Sequence, residues 1–437
     1  MAAYDELLGF INELQIIDSH EHLPPEAQRD QNSDVLSEWL FHYFSCDLIS
    51  AGMSDDAMGQ VRDSKQPLAK RWKIVQPFWD AARSTGYGRS LDIAARGLYG
   101  LDGVTGKTIE PLNEAFKAAR AKGGHYQYVL KDKSRIALSL AAGAVVTPYE
   151  RDFFAVSQYL DEFITPGHIN RVRQVGQEVG VEIHSIEDWE HALELHVDKC
   201  LKGGAVALKC GLAYSRTLLF EKTPRAVAEE EFNRFFGPNH SAPWQPGTHM
   251  AKGFQDYMMH ALLKLADARG LTFQIHTGLH EGNGNHIAHS NPVLLTNLFL
   301  EYSNVKFDIF HMSYPFIMEL SNLAKNFRNV FIDMCWGHII SPEAARRAIV
   351  EWLDAVPANK ITAFGGDYCF VDGVYGHATL ARQNVAAALA QKVSDGSFDL
   401  DRAKQIAGWM FVDTPTRIFH LEDRIKKSAA KASKKRK

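Results

Sequence analysis

From Ala205 onward the chain alternates between short apolar runs and helical patterns, and that alternation restricts the fold more than any other feature. The runs are 205–213, 271–278, 305–312, 330–336 and 361–367. The helical patterns that follow them are 250–269, 291–302, 314–327, 341–353 and 377–393. Strands that each lead into a helix pack as a parallel sheet, because a helical crossover returns the chain to the same end. With 14–19 as the first strand and 135–140 and 153–159 as the second and third, the count reaches eight. The expectation is an α/β fold, a distorted (β/α)8 TIM barrel. At 437 residues the chain fits such a barrel with insertions.

Several of these strands end in residues able to bind a cation. Leu14-Gln-Ile-Ile17 runs into Asp18-Ser-His20-Glu-His22, and alternate side chains on a strand share a face, so His20 and His22 can chelate one ion. Farther on, His276, His311 and Asp367 each close an apolar run. Taken singly, a solvated His-x-His pair, a core histidine or a capping carboxylate is the plainer reading. Gathered at successive strand ends they occupy the face on which such barrels build active sites. Imidazole and carboxylate donors suit Zn²⁺ or Mn²⁺.

The segment 24–133 separates the first two strands. It is too long for a structureless loop, and helical patterns at 35–44 and 68–82 indicate a helical insertion roofing the site. Inside it, Arg83-Ser-Thr-Gly-Tyr-Gly-Arg89 suits either a substrate anion at Arg83 or a surface turn. After strand 4, Tyr214 and Arg216 lie at the mouth. The Arg216 guanidinium suits a substrate carboxylate or a salt bridge to a loop acid. The glycine-rich loop His280-Glu-Gly-Asn-Gly-Asn-His286-Ile-Ala-His289 is either a mobile lid or simply solvated, and His338 and His377 have similar status. After residue 400 come a closing helix, 401–411, and a segment, 416–421, expected to pack against the barrel.

Composition excludes several classes. Apolar residues at 46% and aromatics at 11% indicate a large core, and no linker or repeat marks a second domain. Residues 1–423 therefore read as one barrel unit. The five cysteines are scattered, without a Cys-x-x-Cys pair, which argues against a disulfide framework and for reduced, buried thiols. The N-terminal residues lack a signal-peptide pattern and no apolar stretch reaches membrane-spanning length, so the expectation is a cytoplasmic protein without a membrane partner. Net charge is −4, but residues 424–437 carry eight basic side chains and no acid, leaving the rest near −12. That tail reads as solvated and disordered. Nucleic acid is not the expected partner, since a basic run without aromatics gives only weak, salt-sensitive contact.

The set His20-x-His22, Lys209 in Val206-Ala-Leu-Lys-Cys-Gly, His276, His311 and Asp367 resembles the amidohydrolase superfamily, especially its amidohydrolase 2 branch, in order and position. Phe273-Gln-Ile-His-Thr-Gly-Leu, Ser290-Asn-Pro-Val-Leu-Leu and Phe310-His-Met-Ser-Tyr-Pro-Phe look like amidohydrolase domains that also occur fused to glutamine synthetase-like proteins. The insertion, with Phe41-His-Tyr-Phe-Ser-Cys-Asp-Leu-Ile-Ser-Ala-Gly52, is similar to uronate isomerases. Lys209, His311 and Gly365-Gly-Asp-Tyr depart from the isomerase pattern, whose strand 8 carries Asp-Ser-Arg. The resemblance implies His20, His22, His276 and Asp367 as ligands of a divalent metal. It also implies either a carboxylated Lys209 bridging two ions, with His276 and His311 on the second, or one ion with His311 polarising the substrate. Asp367 would shuttle the proton.

These expectations converge on a metal-dependent hydrolase attacking a carbonyl carbon of a small polar, carboxylate-bearing amide or lactone, with Tyr214, Arg216 and Arg83 contacting substrate. The alternatives are a uronate isomerase-like reaction, a decarboxylation, or a metal-stabilised binding module. Assembly into a homo-oligomer is a further expectation, from an apolar face on the insertion.

Overall fold

The computed structural model describes residues 2–237 and 251–426. Eight strands run in sheet order β1 to β8: Ile16–Glu21, Ile136–Gly143, Phe154–Tyr159, Ala205–Cys210, Thr272–Ile275, Lys306–Ile309, Val330–Asp333 and Ile361–Thr362. Every neighbouring pair is parallel. The seam between β8 and β1 is closed by backbone bonds beyond the regular ladder. Ser19 N donates to Phe364 O at 3.0 Å, Asp367 N to His20 O at 2.8 Å and His22 N to Tyr368 O at 3.1 Å. The fold is a (β/α)8 barrel, as the alternation implies. It is distorted where β2 meets β3, since residues 144–153 connect them without a helix.

The strands end earlier than the apolar runs do. β8 spans only Ile361–Thr362 where the run reaches Asp367, and β5 and β6 stop before His276 and His311. Hydrophobicity persists past each ladder because the strand-to-loop turns are themselves buried. The left-handed backbone of His311 (φ 65°), Trp336 (φ 61°) and Asp367 (φ 59°) prevents pleating from continuing through them.

The barrel interior is polar, unlike the apolar filling usual for this architecture. Ser139 Oγ donates to Asp18 Oδ2 at 2.7 Å and Ser157 Oγ to Gln274 Oε1 at 2.6 Å. Gln274 Nε2 donates to Asp308 Oδ2 and to Ser19 O, both at 3.1 Å. Burial raises Asp18 and Asp333 to about 6 and holds Asp308 well above the carboxylate range, where the adjoining Asp333 adds repulsion.

Residues 24–133 form the helical roof, with helices Val35–Trp39, Phe44–Ser50, Asp55–Arg62, Leu68–Ala82, Gly86–Tyr99 and Ile109–Lys122. Leu68–Ala82 matches its pattern residue for residue. The expected single helix 35–44 is broken after Trp39, and Tyr43, with a φ of 26°, caps the start of the next helix with its ring buried. The roof shares a continuous hydrophobic core with the barrel through Trp39, Tyr43, Trp79 and Leu91. It is pinned to the helix Val371–Ser394 by the buried carboxylate of Asp372, which accepts from Trp39 Nε1 (3.0 Å), Tyr99 OH (2.9 Å) and His125 Nε2 (2.6 Å).

At the other end of the barrel, Ile418, Phe419 and Leu421 pack on Ile17, Leu138 and Leu140, the contact anticipated for 416–421. All five cysteines are free, but Cys46 and Cys369 are only partly buried, because both lie on loops and helix starts at the roofed end rather than in the core. Among the described residues no helix is long and apolar enough to cross a membrane. Most of the basic tail, 427–437, lies outside the described residues.

Candidate active site

The strand ends bring His20, His22 and Asp367 together. His20 Nε2 and His22 Nε2 are 3.3 Å apart, and Asp367 Oδ1 lies 3.4 Å and 3.1 Å from them. The other carboxylate oxygen, Oδ2, faces His311 Nδ1 at 3.8 Å. His311 Nε2 in turn meets His276 Nδ1 at 2.9 Å. The site is therefore two abutting donor groups flanking Asp367 and His311, and His276 joins through His311. A thiol absent from the sequence expectation, Cys335, also lies within ligand range of His311 and Asp367. Its position at the end of β7 was the available signal, but β7 carries no histidine or acid beyond Asp333 to draw attention.

Proton counting shows what this arrangement lacks. His311 Nδ1 is 3.0 Å from Cys335 O, and His276 Nε2 is 2.9 Å from Leu279 O, so each ring must present an N–H to a carbonyl. The nitrogens left over, His311 Nε2 and His276 Nδ1, then face each other with lone pairs only. Three contacts need protons, and two neutral imidazoles supply two. A third proton would charge a ring, which burial resists. Burial, with Lys209 adding repulsion, takes His311 down to about 3 despite Asp367, and burial together with His311 and Lys209 holds His276 well below the histidine range. A cation in place of the missing proton resolves the deficit, and histidine ligands commonly hold their other N–H against a backbone carbonyl.

The remaining donors agree. Burial and Lys209 keep His20 neutral, while Asp367 stays ionised well below the usual range, the bond with His22 and the neighbouring imidazoles outweighing burial. Neutral imidazole and ionised carboxylate are the states metal binding requires. His20 Nδ1 and Lys209 Nζ are buried without a hydrogen-bond partner. Lys209 rests 3.4 Å above the Phe310 ring, and burial lowers it to about 8. The residues present thus fit a divalent metal.

The outer residues divide. Tyr214 is at the site, its ring 4.6 Å from that of His276 and 4.8 Å from that of His280. Its hydroxyl accepts from Glu281 N at 3.0 Å, while Asn283 Nδ2 donates to Cys46 O at 3.1 Å, so the 280–289 loop is tied to the roof. Arg216 is buried instead against Asp256 (2.6 Å), Gln255 and the Leu219 carbonyl, the salt-bridge alternative. Asp256 lies forty residues away on the helix Lys252–Ala268, beyond what spacing reveals. Arg83 pairs with Asp92 at 3.1 Å, as a roof contact.

Residues 224–421 match the amidohydrolase family model. That segment, a little under half of the chain, is similar to amidohydrolases. It is 26% identical over 180 residues to protein fluG of Emericella nidulans, covering 39% of this chain and 20% of that protein. It is 25% identical over 175 residues to a uronate isomerase of Cutibacterium acnes, covering 36% and 37%. The chain thus spans well under half the length of these two relatives. A solved uronate isomerase from Thermotoga maritima superposes with a TM-score of 0.80 at 13% identity, over 96% of this chain and 97% of that one, a likeness of fold. The amidohydrolase resemblance read from the strand-end residues is borne out.

Proposed function

We propose that this chain is a metal-dependent hydrolase acting on the carbonyl carbon of a small polar amide or lactone. The observation that carries the reading is the proton deficit between His276 and His311, beside His20 and His22 converging on Asp367 Oδ1. In this reading His20, His22 and Asp367 hold one divalent cation, Zn²⁺ or Mn²⁺, and His276 and His311 hold a second, with Lys209 available to join the two once carboxylated. A cation bound here supplies Lewis acidity and an activated water near neutral pH.

The side chains then have separable tasks. Asp367, ionised and buried, takes the proton of the attacking water and passes it to the leaving group. His311 is better suited to be a ligand than an oxyanion donor, because its only N–H is spent on the Cys335 carbonyl. Tyr214, with the 280–289 loop, borders the substrate space. The guanidinium groups of Arg216 and Arg83 are engaged by Asp256 and Asp92, so neither is free to clamp a substrate carboxylate.

A second reading, uronate isomerisation, is favoured by the whole-length likeness in fold to the Thermotoga maritima enzyme, helical roof included. Product chemistry separates the readings. Protein purified without added metal is assayed for metal content and, under non-acidic conditions, for carboxylated Lys209, then offered amides, lactones, uronates and aromatic acids in H₂¹⁸O. Two metals, a modified lysine and ¹⁸O in a carboxylate product support the hydrolase. A product of unchanged mass from a uronate, or released CO₂, replaces it, and a protein that takes up no metal refutes both.

A further inference from the structure

Asp367 has a left-handed backbone that side-chain-bearing residues seldom adopt, and the cause of its retention is visible around it. Asp367 N donates to His20 O at 2.8 Å. Gly366 N donates to Asp18 Oδ1 at 2.9 Å, and Tyr368 N to Glu21 Oε2 at 2.9 Å. These bonds come from β1 and serve the amides. The carbonyls on either side of the Asp367 Cα are taken by two other elements. Tyr43 OH, from the roof, donates to Asp367 O at 2.6 Å, and His377 Nδ1, from the helix Val371–Ser394, donates to Gly366 O at 3.0 Å.

Neither donor has freedom to wander. The Tyr43 ring lies near-parallel to those of Trp336 (4.6 Å) and Tyr87 (5.3 Å), each at an interplanar angle of 13°, and is almost fully buried. His377 has no exposed surface, packs on Phe364 at 5.0 Å, and leaves its Nε2 without a partner. A buried imidazole with one unsatisfied nitrogen is a cost that core packing alone does not explain. The orientation of the two peptide planes flanking a residue fixes its φ and ψ, and so the direction of its side chain.

We propose that Tyr43 and His377 are positioning residues which, by gripping the carbonyls on either side of Asp367, aim its carboxylate at a divalent cation. The inference rests on the reading of Asp367 as a metal ligand. It gives the roof a task besides covering the site, since the roof reaches the ligand through Tyr43. It also gives His377 a role that neither the ligand set nor the proton shuttle assigns.

The test is Co²⁺ binding to the metal-free full-length protein, read as a dissociation constant and as the visible d–d spectrum. Tyr43→Phe and His377→Leu should each weaken binding by about tenfold or more, the range for residues that orient a ligand, and alter the spectrum. His377→Asn, whose amide nitrogen can replace Nδ1, should restore affinity to within about threefold of the parent, well inside that range. Tyr99→Phe removes another roof tyrosine bond, the partly buried one to Asp372, and should leave Co²⁺ binding unchanged.

Either Tyr43→Phe or His377→Leu binding within about twofold of the parent, far from the loss expected for an orienting residue, overturns the assignment. So does an equal loss in Tyr99→Phe, which would mark a general loosening. If Tyr43→Phe does not fold, 3,5-difluorotyrosine at position 43 keeps the ring and strengthens the donor. The Co²⁺ band must then shift, and an unchanged band overturns the proposal. Asp367→Asn tells the two readings apart: unchanged affinity there removes Asp367 from the ligand set, whatever the other variants do.

Discussion

Asp372→Ala should detach the roof from the barrel without emptying the core. The carboxylate has no exposed surface and accepts from Trp39, Tyr99 and His125, three side chains distributed along the roof. Each buried donor left without its acceptor costs about 1–3 kcal/mol. Partial relaxation brings the total for three to about 3–5 kcal/mol, a large part of the roughly 5–15 kcal/mol that holds a domain folded. The loss also depends on pH. Burial opposes ionisation of Asp372, but His125, Arg29 and the Trp39 bond outweigh it and depress the carboxyl below its ordinary value. A depressed acid stabilises fully above its unfolded pKa, near 4, and loses that contribution as pH falls through the folded value. The penalty of Asp372→Ala should therefore be complete at pH 7 and shrink below about pH 4. Urea unfolding at several pH values measures it, and hydrogen exchange should show faster opening of residues 35–125 than of the strands. A penalty under about 1 kcal/mol at pH 7, or one independent of pH, would refute the reasoning, since it is less than one abandoned donor should cost.

Three further outcomes follow from single contacts. In Gly366→Ala the new Cβ would lie 1.7 Å from Glu21 Oε1, while Oε2 is held by Tyr368 N; a loss of about 2–4 kcal/mol in denaturant unfolding and weaker Co²⁺ binding are expected, and wild-type values for both would contradict the contact. Lys209→Met replaces a buried amine that has no hydrogen-bond partner, so the metal-free protein should gain about 1–3 kcal/mol by calorimetry even as cation binding declines; a lower melting temperature without metal would show that Lys209 has a partner after all. Asn283→Ala cuts a tie between the 280–289 loop and Cys46 worth about 0.5–1.5 kcal/mol, and should raise deuterium uptake in that loop while leaving the barrel strands unchanged.

What the sequence disclosed and what it concealed divide along physical lines. Strand-end histidines were legible because each closes an apolar run, a one-dimensional pattern that the parallel barrel converts into one face. Leu68–Ala82 was legible for the same reason, its periodicity being local. Arg216 was ambiguous because its partner is Asp256, chosen by packing between elements rather than by spacing. The break after Trp39 was hidden because Leu40, Phe41 and Tyr43 carry hydrophobicity through it, so the sequence does not turn polar where the helix stops. The interior acids Asp308 and Asp333 were concealed inside apolar runs, where a single polar letter reads as noise until the barrel aligns it with Gln274 and Ser157.

The shortness of β8 connects these observations. An eighth strand continued in register through Asp367 would alternate its side chains between the barrel interior and the helices, and would satisfy its amides on β1 in the ordinary way. Here the ladder ends at Thr362, and the next residues are satisfied by Met410 O, Asp18, His20, Glu21, His377 and Tyr43 in place of a regular neighbour. Two of these acceptors are carboxylates on β1 that flank His20, with Glu21 standing between the two histidines. Asp18 and Glu21 therefore position the turn that carries Asp367, while His20 and His22, from the same five-residue stretch, meet its side chain. On the proposed ligand reading the strand 1 motif is a ligand pair and a template at once: its histidines would offer nitrogen to a cation, while its acids hold the backbone of the carboxylate opposite. A substitution at Asp18 or Glu21 should then act on the site through Asp367, even though neither side chain belongs to the ligand set.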